Sequence, residues 1–365
     1  MLTIGDIAPA FMAESSSNPR YRFDTAAGRY IVLAFIGSSA DPAGRLLLNE
    51  LLADLSLYDD MKLCFFAVSA DPADRERLKP RLPGVRFFWD GDGAVSRLYA
   101  AQVDGADAYR PYALVLDPML RVIARAPGVG DHPARLRTFL HRLRPVDEHA
   151  GAAIHAPVLI APRIFEPDFC QRLIAAYDNG ETEDSGFMRE VDGKTVGMID
   201  HSFKRRADHY IEDAALRQAA AARIVRRLFP LVHKAFAFTV TRMERYIVAC
   251  YDAGQGGYFR PHRDNTTKGT AHRRFAVTIN LNAEDYDGGD LRFPEFGTRS
   301  YRAPTGGAVV FSCSLLHEAL PVTRGRRYAF LPFLYDDAAA ALRAANNPYL
   351  GEEVGLYQPD GPEVE

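Results

Sequence analysis

His262-Arg263-Asp264 is the chain's one His-x-Asp, His317 follows 53 residues after Asp264, and Arg327 stands ten residues beyond that. Two imidazoles and one carboxylate can occupy one face of an iron(II) octahedron and leave the opposite face open. This requirement constrains the fold. In an extended segment residues i and i+2 point the same way, so one short stretch can deliver His262 and Asp264. The third ligand must then come from a strand far along the chain. A barrel whose strands converge on a central pocket meets that demand. An arginine beside the open face can anchor the far carboxylate of a 2-oxo acid. The set points to an oxygen-activating iron enzyme.

The rest of the chain changes texture midway. Over residues 1–144, short apolar runs at Tyr30–Ile36, Leu63–Val68 and Ala113–Leu116 alternate with helical patterns such as Leu46, Leu47, Leu51 and Leu55. Such runs suit strands covered on both faces, in an α/β layered domain. Residues 145–157 are small, polar and proline-bounded, and read as a linker. A second domain is expected over 158–336. It opens with two helices, one carrying Phe169, Leu173, Ile174 and Tyr177 and one at Ala214–Leu228, where Arg223, Arg226 and Arg227 read as a wet face. From Thr239 onward short strands are divided by glycine-rich turns: Tyr246–Tyr251, Phe275–Leu281, Leu291–Phe293, Ala308–Phe311 and Tyr328–Leu334. That rhythm predicts a sandwich or jelly roll. Residues 337–365 read as an alanine-rich stretch and an acidic tail, the last part with little rigidity.

A formal net charge of −3 argues against general nucleic-acid affinity. The local run Lys204-Arg205-Arg206 reads as a solvated face, as does Arg273-Arg274. The four cysteines, Cys64, Cys170, Cys250 and Cys313, lie far apart in apolar stretches and form no Cys-x-x-Cys. They suit buried free thiols in a reducing cytoplasm. No apolar run approaches the length of a membrane span, so neither a membrane nor a nucleic acid is expected as partner.

Residues 158 to about 335 resemble the prolyl 4-hydroxylase-like branch of the iron(II)/2-oxoglutarate dioxygenases. The resemblance is carried by Ala249-Cys250-Tyr251 through Gly257-Tyr258-Phe259-Arg260-Pro261-His262-Arg263-Asp264-Asn265, by Leu281-Asn282 with Asp287-Gly288-Gly289-Asp290-Leu291, and by Pro304–Phe311 through His317–Thr323 to Gly325-Arg326-Arg327. It implies a double-stranded β-helix with flanking helices. It implies that His262, Asp264 and His317 bind iron(II), and that Arg327, with Arg326 as the competing choice, holds the distal carboxylate of 2-oxoglutarate. Tyr251 and Tyr258 would line the cosubstrate pocket. Thr278 and Asn280, polar in an apolar strand and of one parity, would face it too. Asn280 stands where some relatives place a tyrosine near that carboxylate. The implied reaction couples dioxygen and oxidative decarboxylation of 2-oxoglutarate to hydroxylation of an unactivated C–H bond, releasing succinate and carbon dioxide. Asp264 argues against halogenation, since it occupies the position a chloride needs.

The first domain resembles peroxiredoxin-type thioredoxin folds, through Gly5-Asp6-Ile7-Ala8-Pro9-Ala10-Phe11, Phe66–Asp71, Trp89–Gly93 and Arg110–Pro118. Peroxide reduction needs a thiolate at the N-terminus of the first helix. Ser38-Ser39-Ala40-Asp41-Pro42 occupies that place without a cysteine, and Cys64 lies mid-strand. A redox-inactive domain is expected, with Arg110 left to pair with Asp41. The expected partner is a small-molecule or peptide substrate. Thioredoxin-like domains often pair, which leaves a homodimer as an option. Three other readings stand: a non-catalytic scaffold or sensor, a non-oxidative metal enzyme on a cupin-like barrel, and a thiol peroxidase using Cys64 or another cysteine.

Overall fold

The computed structural model describes residues 1–102 and 108–358. The chain divides into two compact units, one of residues 1–156 with Pro294–Arg299, the other from Pro157 to Phe293 and from Ser300 onward. The sequence placed 294–299 in the second domain. It belongs to the first unit, where Thr298 donates to Asp147 from both its N–H (2.7 Å) and its hydroxyl (2.6 Å).

The first unit is built on strands β1 (Met12–Ser15), β2 (Asn18–Arg22), β3 (Tyr30–Gly37), β4 (Leu63–Ser69), β5 (Val85–Trp89), β6 (Tyr112–Leu116) and β7 (Val122–Pro127), with helices α1 (Pro42–Leu51), α2 (Asp74–Arg77), α3 (Ala94–Leu98) and α4 (His132–Leu140). The sheet order is β2-β1-β5-β4-β3-β6-β7, with β3, β4 and β5 parallel and β6 and β7 antiparallel. This is a thioredoxin-like sheet. All eight residues of β3 and all seven of β4 are buried, which explains their unbroken apolar runs. At the start of α1, Ser38 donates to Asp71 at 2.6 Å, and the N–H of Ser39 donates to buried Asp74 at 2.8 Å. Asp41 and Arg110 are both exposed and form no ion pair with each other among the described residues, contrary to the pairing expected.

The second unit begins with β8 (Leu159–Ala161) and α5 (Pro167–Asn179). Strands β9 (Glu183–Asp184), β10 (Phe187–Val191), β11 (Lys194–Met198), β12 (Lys204–Arg205) and β13 (Ala207–Tyr210) follow, then helices α6 (Ala214–Arg227) and α7 (Phe229–Phe236). The remainder is β14 (Arg242–Glu244), β15 (Ile247–Asp252), β16 (Tyr258–His262), β17 (Phe275–Asn280), β18 (Asp287–Gly288), β19 (Leu291–Arg292), β20 (Ser300–Tyr301), β21 (Ala308–Ser312), β22 (His317–Ala319), β23 (Val322–Arg324), β24 (Arg326–Phe330), β25 (Phe333–Tyr335) and α8 (Asp337–Ala345). One sheet runs β14-β25-β17-β24-β15-β13-β9, with β21 attached to β17 and β8 to β21, and a second runs β12-β16-β22-β19-β20. Together they form the double-stranded β-helix.

Side-chain alternation decides what each face of the large sheet does. Val248, Cys250, Val277, Ile279, Tyr328 and Phe330 pack outward against Phe169, Leu173, Leu216, Ile224 and Leu228 of the helices. The opposite parity, Ala249, Tyr251, Thr278, Asn280, Arg327 and Ala329, therefore points into the barrel. Asp213 caps α6 by accepting from the N–H groups of Ala215 and Leu216. Arg223 and Arg227 of its expected wet face instead share Glu166, the former at 2.7 Å.

One strand reading is corrected. Tyr328–Leu334 is not one strand: Pro332 cannot donate to a ladder, and the segment splits into β24 and β25. From residue 337 the expected alanine-rich stretch is helix α8, and the chain stays anchored as far as Tyr357. Ala339 and Ala340 of α8 are buried with Tyr335 and Tyr357, and Asn347 exchanges two hydrogen bonds with the backbone of Tyr357 at 2.8 and 3.0 Å. The aromatic anchor Tyr357 outweighs the polar composition around it. The acidic end at 359–365 lies outside the described residues.

Glu244 ties this end of the barrel together. It is buried, and it accepts from Arg273 at 2.7 Å, lies 2.8 Å from Arg343 and lies 3.2 Å from the ring of His272. Burial alone would raise its carboxyl, but Arg273, His272 and Arg343 outweigh that and hold it well below the usual carboxylate range. A depressed folded value gives stability that is present above the unfolded value of about 4.3 and lost as pH falls below it. Glu244→Gln should destabilise this unit by about 1.5–3 kcal/mol, because half-buried Arg273 and Arg343 lose a charged acceptor. Chemical denaturation at pH 7 checks the size, and a shallower loss of stability on acidification in the variant checks the cause.

Candidate metal centre

The metal-ligand set is assembled by one turn, one bulge and one register. β15 leads into β16 through Gly256 and Gly257. Gly256 has φ +65°, and a Cβ on Gly257 would lie 2.7–2.8 Å from the backbone of Tyr251 and Asp252. Gly256 is therefore required by its backbone conformation and Gly257 by packing. Within β16 the pairing to β22 slips between Phe259 and His262, so that Phe259 faces Ala319 while His262 faces His317. The extra residue brings Phe259 and His262 onto the same face. Their rings stack at 3.5 Å with 21° between planes. Asp264 sits in the turn that follows, where its N–H donates to Cys313 O at 3.0 Å.

His262, Asp264 and His317 each offer one ligand atom, and these atoms lie within 4.8 Å of one another. Asp264 lies 3.6 Å from His262 Nε2 through one oxygen and 3.4 Å from His317 Nε2 through the other. The Nδ1 of His262 is 2.7 Å from Arg260 O, and that of His317 is 3.0 Å from Leu315 O. A carbonyl only accepts, so both Nδ1 atoms carry the proton and both Nε2 lone pairs face Asp264, as metal-ligating histidines require. Burial, reinforced by His262, pulls the His317 imidazole down to about 4, which keeps it neutral. Phe311 meets the His317 ring edge-on at 4.6 Å.

Arg327 is 2% exposed and lies across the β15–β24 ladder from Tyr251, with its guanidinium 4.9 Å from the Tyr251 ring centroid. Its Nε and Nη1 have no hydrogen-bond partner. A buried guanidinium without a counter-ion is costly, and its free N–H groups suit a carboxylate. The residues present therefore fit iron(II) and a 2-oxo dicarboxylic acid on the evidence of a donor set and an orphaned cation. Arg326, the competing choice, is exposed and donates to Asp252 at 2.9 Å on the outer side.

The other pocket residues divide. Thr278 and Asn280 are buried on the inner face. Asn280 Nδ2 donates to Ala303 O at 2.7 Å and its Oδ1 has no partner. Tyr251 is buried there as well. Tyr258 is not brought to the pocket: its parity is opposite to Phe259, and its hydroxyl donates to His201 O at 2.9 Å at the surface. Arg260 and Arg263 beside the ligands are tied to the carbonyls of Ser202 and Ser314, and Arg273 to Glu244. Several inner-face residues escaped the sequence reading. Phe259 needed the bulge to be known. Tyr286, fully buried with an unpartnered hydroxyl, gave no periodic signal. Lys204, read as part of a solvated run, is buried, and the alternation of β12 and β13 was the available clue.

Residues 246–335 match the family described as the 2OG-Fe(II) oxygenase superfamily. A PKHD-type hydroxylase of Synechococcus sp. (strain JA-2-3B'a(2-13)) is 36% identical over 89 residues, 23% of this chain and 39% of the relative. The PKHD-type hydroxylase PiuC of Pseudomonas aeruginosa is 28% identical over 182 residues, 47% of this chain and 75% of the relative. The chain thus spans about two fifths of the length of the first curated relatives it matches. A cysteine-to-serine mutant of Xanthomonas campestris peroxiredoxin Q is similar to the first unit at 17% identity, covering 36% of this chain and 90% of its own, with a TM-score of 0.30. The second unit carries a 2OG-Fe(II) oxygenase domain.

Removing one ligand should break the site without unfolding the barrel. His317→Ala should weaken metal affinity by on the order of 100-fold or more, since even outer partners of such ligands are worth 10–100-fold. Titration with cobalt(II), followed by its visible absorption, reads this directly. Unchanged affinity would remove His317 from the ligand set.

Proposed function

We propose that the chain is an iron(II)- and 2-oxoglutarate-dependent dioxygenase that hydroxylates an unactivated C–H bond of a small molecule or peptide and releases succinate and carbon dioxide. The observation that carries this reading is Arg327, buried on the inner face of the barrel with two unpartnered N–H groups. A bare metal enzyme has no need for it, whereas a dicarboxylate cosubstrate does. Iron(II) with 2-oxoglutarate and dioxygen, once bound, supplies the oxidising power for C–H chemistry.

The chain's own residues position and shield. His262, Asp264 and His317 would take one face of the metal and leave the other open to cosubstrate and dioxygen. Arg327 would fix the distal carboxylate, with Tyr251 against its guanidinium and Asn280 Oδ1 still free to accept a hydrogen bond. Gly289 leaves room for that arginine: it has φ +69°, and a Cβ there would lie 3.0 Å from Arg327 Cδ and 2.8 Å from Val322. Phe259 and Phe311 shield the two imidazoles from water, which strengthens the electrostatics of the site.

The thiol peroxidase reading has no support in the structure. Cys64 is 1% exposed in mid-sheet, and burial pushes its thiol up to about 12, far from a reactive thiolate. Its four cysteines are all free and buried, which suits a cytoplasmic setting. No helix among the described residues is long and apolar enough to cross a membrane.

The test is 2-oxoglutarate turnover to succinate by the iron-loaded chain, which proceeds slowly in such enzymes without substrate. Arg327→Leu should raise the KM for 2-oxoglutarate at least tenfold, the loss of about 1.4 kcal/mol or more from a charge-assisted contact. Gly289→Ala should do so more mildly. Succinate formation that ignores both substitutions would contradict the reading.

A further inference from the structure

The Lys204-Arg205-Arg206 run does not form one wet patch. Lys204 pairs opposite Phe259 and Arg205 opposite Tyr258, so alternate residues take opposite sides of the barrel wall. Lys204 is 5% and Arg206 7% exposed, whereas Arg205 lies outside. The Lys204 ammonium lies 4.8 Å from the centroid of Phe259, the same ring that stacks on metal-ligand His262. One aromatic layer thus separates it from the metal centre.

These two cations lack sufficient counter-charge. Asp208 accepts from Arg206 at 2.6 Å and from Arg245 at 3.4 Å, and also from Ser185 at 2.5 Å. Lys204 donates only to neutral acceptors, Ser185 Oγ at 2.7 Å and Gly186 O at 2.6 Å, and forms no ion pair among the described residues. Arg206 Nε has no partner at all. Around the inner face Lys204, Arg206 and Arg327 stand against Asp208 and Asp264. Iron(II) and the 2-oxoglutarate dianion would cancel each other, so at least one buried positive charge remains for which the known ligands provide nothing. Burying such a charge unpaired is expensive. Burial first, and then Arg206, hold the lysine well below its usual range. An anion arriving beside it would oppose that shift and favour the charged form.

We propose that Lys204 and Arg206 bind a carboxylate of the primary substrate beside the metal centre, so that the molecule hydroxylated is a carboxylic acid. The inference rests on the oxygenase reading above. Tyr251 keeps the two anchors apart. Arg206 donates to its hydroxyl at 3.4 Å on one side, and Arg327 lies over its ring on the other. One cation would then serve the cosubstrate and the pair would serve the substrate. The acid function belongs either to a free small molecule or to an acidic side chain of a peptide.

The chain has six lysines, and the other five, Lys62, Lys79, Lys194, Lys234 and Lys268, are exposed. In full-length protein labelled with ¹³Cε-lysine, loaded with zinc(II) in place of iron(II) and saturated with 2-oxoglutarate, the Lys204 signal should stand apart. Its absence in Lys204→Met, or in Lys204→Arg if the first variant does not fold, assigns it. Propionate should move this signal saturably, with a Kd on the order of 1–10 mM, and propionamide should not. A capped glycine–aspartate–glycine tripeptide tests the second source. A response to propionate alone marks a free acid, a response to the peptide marks an acidic side chain, and either supports the proposal. If neither moves the signal at about ten times that concentration, the proposal is wrong. If 2-oxoglutarate alone produces the full shift and propionate merely competes with it, the pair belongs to the cosubstrate and the proposal is again wrong. Failure of the protein to bind 2-oxoglutarate, read in the same sample, would instead overturn the oxygenase reading on which the proposal rests.

Discussion

The register that sets His262 opposite His317 across β16 and β22 is the constraint on which the site depends. A slip of one residue in a sheet turns every side chain to the other face. Here it would move an imidazole out of the barrel and break the ligand set. The bulge between Phe259 and His262 pins that register, and the glycine pair before β16 fixes where the strand begins. The same logic holds in the large sheet, where Tyr251 faces Arg327 across β15 and β24. The apolar residues of the opposite parity, packed on α5 and α6, hold that sheet in place. Packing on the outer face thus determines which polar groups occupy the inner one.

That inner face holds more positive charge than the protein neutralises. Arg327 has two unpartnered N–H groups, Arg206 has one, and Lys204 has only neutral acceptors. Elsewhere in the unit buried charge is matched, as at Glu244 with Arg273 and Arg343. The contrast locates the imbalance at the barrel mouth, where ligands supply what the chain does not.

Much of this was legible in the sequence because the motif joins chemistry to spacing. His262, Asp264, His317 and the arginine beyond them could be named before any coordinates, and the glycine-punctuated strands announced an antiparallel barrel. What stayed hidden depended on geometry. Tyr258 and Phe259 are adjacent aromatics, and only the bulge and the β12 pairing tell which faces the metal. Lys204 and Arg206 resemble any basic run until alternation separates them from Arg205. The hairpin β10–β11 carries no strong apolar pattern, its five-residue strands being mostly exposed or half-buried. In the first unit the missing thiol was visible at once, whereas the Ser38–Asp71 and Ser39–Asp74 bonds that occupy its place were not.

The central claim is that the triad and Arg327 together hold iron(II) and 2-oxoglutarate. Anaerobic addition of 2-oxoglutarate to the iron(II)-loaded chain addresses it most directly, through the weak visible metal-to-ligand charge-transfer band that a chelated 2-oxo acid produces. The account predicts a saturable band in the native chain, none in His262→Ala, and a band needing far more 2-oxoglutarate in Arg327→Ala. No band in protein shown to contain stoichiometric iron would contradict it.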